Sequence, residues 1–119
     1  MNDLASKTIE ERREIWAQKL ESGEYKQGKA ALRSADNLFC CLGVACDLFD
    51  ATQWKKDSEQ PEEFRNYTYS KTQNGGMPPA EVRNFFGITG SEAPTLAAKN
   101  DGGHKFEDIA KIIREKKNA

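Results

Sequence analysis

Histidine occurs once in the 119 residues, at His104, and cysteine three times, at Cys40, Cys41 and Cys46. A structural zinc site wants four Cys or His donors. These four residues would put adjacent thiols on one ion with no Cys-x-x-Cys pair, so no metal site is expected. An odd cysteine count, with two neighbours pointing in different directions, is equally poor as a disulfide framework and fits reduced thiols in a cytosol. The nine glycines form no Gly-x-x-x-x-Gly-Lys-Ser/Thr and no Gly-x-Gly-x-x-Gly string, which leaves a phosphate cradle, ATP chemistry and a bound cofactor without support. Asp101-Gly102-Gly103 lacks the alternating carboxylates of a calcium loop. No run approaches the roughly 20 apolar residues of a membrane span, and the N-terminal residues hold no signal-peptide core, so a cytoplasmic chain without a membrane partner is expected. Positive charge is not in excess either: 18 Lys and Arg against 19 Asp and Glu give a net charge of −1, which removes the electrostatic argument for a nucleic-acid partner.

What is present is a densely charged surface, 31% of the residues, around a small apolar set of 37%. The length suits one domain over 1–119, with loose ends expected at 1–7 and 115–119. Its longest apolar run, Leu38 to Phe49, changes period at the paired cysteines: Leu38 to Cys40 read as a strand end, and Leu42, Ala45, Cys46 and Phe49 as one side of a buried helix. Thr8-Ile9-Glu10-Glu11 is a capping box, and it opens a helix with Ile9, Trp16 and Leu20 on one face. Arg12, Arg13 and Lys19, mixed with Glu10, Glu14 and Glu21, are expected on its solvated side. A short hairpin is expected between 29–33 and 37–40 around the turn residues Ser34-Ala35-Asp36-Asn37. The charged stretch 54–63 has loop composition, and Phe64 to Ser70 alternates as a strand exposed on one face, with Tyr67 and Tyr69 together and Trp54 near them. Beyond the Asn74-Gly75-Gly76 turn, Pro78-Pro79 presets a helix with Val82, Phe85 and Phe86 inside, ended by Gly87. A short helix through Leu96 follows, and then a final one on Phe106, Ile109, Ala110 and Ile113, with Lys116-Lys117 at its C-terminal end.

These elements predict an α+β fold: a small antiparallel sheet of two to four strands packed on a central buried helix, with three or four helices around it and helix exceeding strand. The string Leu20-Glu21-Ser22-Gly23-Glu24-Tyr25-Lys26-Gln27-Gly28, then Phe39-Cys40-Cys41-Leu42-Gly43-Val44 with Cys46-Asp47, resembles a widespread set of small uncharacterised proteins of tailed bacteriophages and prophages. The resemblance continues through Met77-Pro78, Phe85-Phe86-Gly87-Ile88, Asn100-Asp101 and Phe106 to Ala110. It implies a phage-related accessory protein in the host cytoplasm, and it carries no catalytic residue over.

Three chemistries compete with a plain interaction role. A thiol-dependent hydrolase would use Cys41, at the first turn of a helix where thiolate is favoured, with His104 as base and Asp101 or Asp108 to orient it. Against it, His104 leads into a helix from a loop, and buried cysteines commonly serve as small hydrophobes. A nucleotide-like ligand would use Tyr25, Lys26, Arg33, Tyr67 and Tyr69 as stacking and phosphate contacts. A minor phage structural protein is a further option. The leading expectation is a non-enzymatic protein that binds a host bacterial factor, in host takeover or counter-defence.

Overall fold

A computed structural model describes residues 3–29, 31–56, 67–69 and 77–115. The expected turn at 74–76, the loop 57–63, residues 64–66 and 70 of the expected strand, and Lys116-Lys117 lie outside the described residues. The elements run α1 (Ile9–Glu21), β1 (Lys26–Gln27), β2 (Leu38–Phe39), α2 (Cys41–Asp50), β3 (Trp54–Lys56), β4 (Tyr67–Tyr69), α3 (Ala80–Phe85), α4 (Glu92–Asp101) and α5 (Phe106–Glu115). Short 3-10 turns occupy Asp3–Ser6 and Ala51–Gln53. The fold is α+β with helix exceeding strand, as the periodicities predict.

Helix α2 sits at the centre because its sequence has almost nothing to offer water. Cys41, Leu42, Gly43, Val44, Ala45 and Cys46 are all buried, and α1, α3 and α4 pack against it while α5 lies on α1 and α4. Cys40 supplies the N-cap, its Sγ accepting from the Gly43 N–H at 3.4 Å. The Trp16 indole donates to the Cys41 carbonyl at 3.0 Å, which fixes α1 on the start of α2 with a fully buried polar bond. Gly43 is required by proximity: a Cβ there would lie 1.8 Å from the Leu32 carbonyl oxygen, so only glycine lets the incoming chain cross the helix this closely.

Helix α1 starts with the predicted capping box, Thr8 Oγ1 accepting from Glu11 N–H at 3.1 Å and Glu11 Oε1 from Thr8 N–H at 2.8 Å. Its polar side departs from the expected solvated face. Arg13 is 2% exposed and Glu92 4%, and they pair through Nη1–Oε1 at 3.1 Å and Nη2–Oε2 at 2.6 Å. Arg13 also donates to the carbonyls of Phe86 at 3.0 Å and Ile113 at 3.2 Å, so one guanidinium ties α1 to the ends of α3, α4 and α5. Arg12 lies 3.8 Å over the Phe85 ring and donates to the carbonyls of Leu4, Ala5 and Phe85. That holds Asp3–Ser6, expected as part of a loose end, with Leu4 buried. Ile9, expected on the inner face, is 44% exposed and lies over Gly87.

The C-terminal helices are stitched in by polar side chains. Asn100 is fully buried; its Oδ1 accepts from Cys41 N–H at 3.3 Å and the Gln27 amide at 3.0 Å, and its Nδ2 donates to the Gly28 carbonyl at 2.7 Å. Gln27 Oε1 accepts from Phe106 N–H at 3.0 Å and so caps α5 from the far side of the sequence. Arg114 holds both Glu14 and Glu21 of α1.

The strands are short and their pairing differs in part from expectation. β1 pairs with β2 in parallel, Lys26 opposite Leu38 and Gln27 opposite Phe39. The hairpin expected between 29–33 and 37–40 is reduced to one antiparallel bridge, Arg33 with Phe39. Trp54-Lys55-Lys56, read as loop from its charge, forms β3, paired antiparallel with β4. Arg33 also bridges Tyr67, so its backbone joins the two ladders.

Candidate binding face around Arg33

Arg33 reaches its place through a tight turn. Ser34 N–H donates to the Leu38 carbonyl at 2.8 Å, and Ser34 Oγ accepts from Leu38 N–H at 3.1 Å. Asn37 adopts φ 63°, a left-handed conformation that Asn tolerates better than most residues. That geometry turns the Asn37 side chain onto Arg33: Oδ1 accepts from Nε at 2.9 Å and from Nη2 at 2.7 Å. On the other flank Tyr67 N–H donates to the Arg33 carbonyl at 3.0 Å.

Alternation sorts the strand residues into two faces. Gln27, Phe39, Arg33, Tyr67, Tyr69, Trp54 and Lys56 share one face by register; Lys26, Leu38, Thr68 and Lys55 share the other. On the first face the Arg33 guanidinium lies 3.8 Å from the Tyr67 ring centre, 5.2 Å from Phe39 and 5.5 Å from Trp54. The rings meet edge to face: Tyr25 on Phe39 at 5.0 Å, Phe39 on Trp54 at 6.0 Å, and Trp54 on Tyr69 at 4.9 Å. Such pairs contribute about 0.5–1.5 kcal/mol each beyond their buried area, and a cation over a ring about 0.5–2 kcal/mol. The cluster is therefore rigid while Tyr25, Arg33, Trp54 and Tyr67 remain half-exposed.

Asp47 anchors the cluster to α2. It accepts from the Tyr25 hydroxyl at 2.6 Å and from the Trp54 indole at 3.0 Å. Burial, then the hydrogen bond to Asp47 and its charge, push the Tyr25 phenol well above its usual range, so it stays a neutral donor.

The residues singled out from the sequence separate. Tyr25, Arg33 and Tyr67 come together. Tyr69 is 3% exposed, and its hydroxyl lies 2.9 Å from the carbonyl oxygens of both Cys46 and Asp50, so it braces the end of α2 from within the core. Lys26 is exposed on the opposite face. Phe39, Trp54, Asn37 and Asp47 complete the cluster. The sequence places Trp54 near the tyrosines, whereas Phe39 reads there only as strand, Asn37 only as turn composition, and Asp47 only as part of the cysteine motif. An Asn closing a turn before a strand is the one local signal that points to a left-handed residue with a free amide.

Cys41 is fully buried and its thiol lies 3.7 Å from the Leu96 carbonyl. Burial raises all three thiols: Cys40 to about 11, Cys41 and Cys46 well above their usual value. The lost solvation outweighs the helix-start amides that favour thiolate. His104 is exposed, its Nδ1 3.1 Å from the Lys99 carbonyl, and Asp101 is exposed beside it. No hydrogen bond joins Cys41 to His104 among the described residues. Nor do the described residues contain a group of three or more His, Cys, Asp or Glu placed to hold a metal ion, and no described helix is long and apolar enough to cross a membrane.

Residues 8–94 match the model of a family described as a domain of unknown function, DUF8296. No curated protein and no solved structure matches the chain. The matched span contains every residue of the Arg33 cluster, whereas Asp101 and His104 lie beyond it.

Proposed function

We propose, for a chain that belongs to the DUF8296 family, a non-enzymatic binding role: it engages a host bacterial protein in the cytoplasm, in the setting of phage infection or a resident prophage, through the face centred on Arg33. The observation that supports this reading is the composition and order of that face. Arg, Trp and Tyr are the residue types that dominate interface energetics, and here they are half-exposed and pre-arranged, so little side-chain freedom remains to be lost on binding. The phage setting rests on the sequence resemblance. The thiol-hydrolase alternative loses ground because Cys41 is sealed in the core and its proton is held there by burial. The nucleotide-like alternative keeps Tyr25, Arg33 and Tyr67 but loses Tyr69 to the core and Lys26 to the opposite face. The role of minor phage structural protein draws on no feature of this face.

Native mass spectrometry of the tagged chain from bacterial lysate tests the proposal. A discrete protein-sized added mass, kept in Cys41→Ser and lost in the Arg33→Ala, Tyr67→Ala double variant, is expected. An added mass of a few hundred daltons would replace the protein partner with a small ligand. A bare chain, or a partner indifferent to the double variant, would remove the proposal.

A further inference from the structure

A guanidinium has two edges on which paired N–H groups match the two oxygens of a carboxylate: Nε with Nη2, and Nη1 with Nη2. This chain fills those edges repeatedly with its own acids. Arg13 holds Glu92 on the Nη1–Nη2 edge at 3.1 and 2.6 Å. Arg114 holds Glu21 on the same edge at 2.6 and 2.8 Å, and Glu14 on the Nε–Nη2 edge at 3.0 Å for each bond. Arg12 gives all three nitrogens to carbonyls. Arg83 gives Nε to the Pro78 carbonyl at 3.3 Å with no ring beneath it among the described residues.

Arg33 differs from all of these. Its Nε–Nη2 edge is taken by the single Asn37 oxygen, and its plane is held on Tyr67, yet its Nη1–Nη2 edge has no partner among the described residues. The side chain is oriented and half-exposed with a complete fork unspent. We infer that this edge receives a carboxylate of the partner protein, an acidic side chain seated beside the half-exposed rings of Trp54 and Tyr67. The inference rests on the binding role proposed above and names its chemistry. The chain's own pairings favour a carboxylate as the occupant: Arg13 and Arg114 each fill this same edge with a glutamate. Lys26 and Lys55 belong to the opposite face, whereas Lys56 lies on that of Arg33 by register, which makes phosphate the competing anion that the test has to exclude.

The two tryptophans supply the assay, because Trp54 lies in the face and Trp16 is fully buried away from solvent. The indole N–H resonances of the full chain are followed by NMR during titration with acetyl-Ser-Glu-Leu-Ser-amide. The same peptide with Gln in place of Glu, and inorganic phosphate, serve as comparisons. The expected result is a saturable shift of the Trp54 signal with a stationary Trp16 signal. Binding should be several-fold weaker for the Gln peptide and for Arg33→Lys, which keeps the charge but not the fork, and absent in Arg33→Ala. A Trp16 signal at its native position shows that a variant is folded; if Arg33→Ala loses it, Arg33→Lys carries the comparison. No shift, an equal response to both peptides, undiminished binding in Arg33→Lys, or a response to phosphate alone would overturn the inference. A failed peptide titration beside a lysate partner that still depends on Arg33 would remove the carboxylate and leave the binding role standing. The reverse pair of results would remove the lysate partner alone.

Discussion

Gly43→Ala sets two effects of known sign against each other. In an open helix interior the change stabilises by about 1 kcal/mol, because alanine loses less backbone freedom on folding. At Gly43 the new methyl would sit 1.8 Å from the Leu32 oxygen, 2.7 Å from its carbonyl carbon and 3.2 Å from its Cα. All three atoms are backbone of a residue 1% exposed, so no side chain can swing aside. Restoring a normal separation means moving the 32–33 segment by more than 1 Å, on the order of the gap to van der Waals contact. That stretches the bond from Cys40 N–H to the Leu32 carbonyl, already 3.2 Å. Overpacking costs about 1–3 kcal/mol and the weakened bond about 0.5–1.5. After the helix gain is subtracted, a net loss of about 2 kcal/mol remains, a fall of roughly 4 °C or more per kcal/mol in thermal midpoint at this size. Thermal and urea unfolding by circular dichroism measure it. Gly90→Ala, whose methyl would meet nothing within 4 Å, is the control and should change stability by less than about 0.5 kcal/mol. A Gly43→Ala protein as stable as the parent, or more so, would refute the argument, since helix propensity alone would then decide the outcome.

Other consequences follow from the charged groups. Arg13→Met should destabilise by about 3–5 kcal/mol, because the buried Glu92 carboxylate keeps no counter-charge, and Arg13→Met with Glu92→Leu should recover much of that loss; urea midpoints at constant m-value measure both, and a single variant within about 1 kcal/mol of the parent would contradict the reading. Acid should destabilise the fold. The carboxyls of Glu11 (bonded to Thr8 N–H), Glu21 (held by Arg114), Glu24 (held by Lys19) and Asp50 (bonded to Thr52) are all held below their ordinary values of 4.5 for Glu and 3.8 for Asp. A depressed folded value gives stability that is complete above the unfolded value and is lost as pH falls through the folded one. The thermal midpoint should therefore drop as pH falls below about 4.5, less steeply in Arg114→Ala. A midpoint that is flat or rises on acidification would count against these pairings.

The legible parts of the fold were those written in local sequence. Thr8 and Glu11 lie three residues apart and announce α1 without outside help, and Phe106, Ile109, Ala110 and Ile113 define a buried stripe whatever they meet. The central helix was legible from the change of period at Cys40-Cys41. What escaped depends on partners far away in the chain. Nothing near Arg13 distinguishes it from Lys19, because its burial is set by Glu92, 79 residues on. β1 and β2 have two residues each, too few to show a period, and their parallel pairing is fixed by Gly28, whose N–H donates to the Phe39 carbonyl at 2.8 Å. Trp54-Lys55-Lys56 reads as loop because two lysines in three residues break an apolar pattern, although an exposed Lys55 is what a one-sided strand requires. The binding candidates divided by the same rule of alternation: Tyr67 and Tyr69 share a face, but only Tyr67 lies at its open end.

The paired cysteine motif, which invited thiol chemistry, serves packing at each of its positions. Cys40 caps α2, Cys41 gives its carbonyl to Trp16, Gly43 admits the Leu32 backbone, and Asp47 secures Tyr25 and Trp54. The motif thereby determines where the 32–39 turn crosses the helix, and that crossing determines where Arg33 emerges. A string whose thiols burial keeps protonated thus bears on the proposed binding face through geometry. The same close approach that forbids a methyl at Gly43 holds the neighbouring residue, Arg33, between two ladders, with its guanidinium 3.8 Å over the Tyr67 ring and one edge without a partner among the described residues. Loosening the crossing should therefore weaken partner recognition even where the protein stays folded. In Gly43→Ala the Trp54 indole resonance should move and the glutamate peptide should bind less well, while Gly90→Ala leaves both as they were.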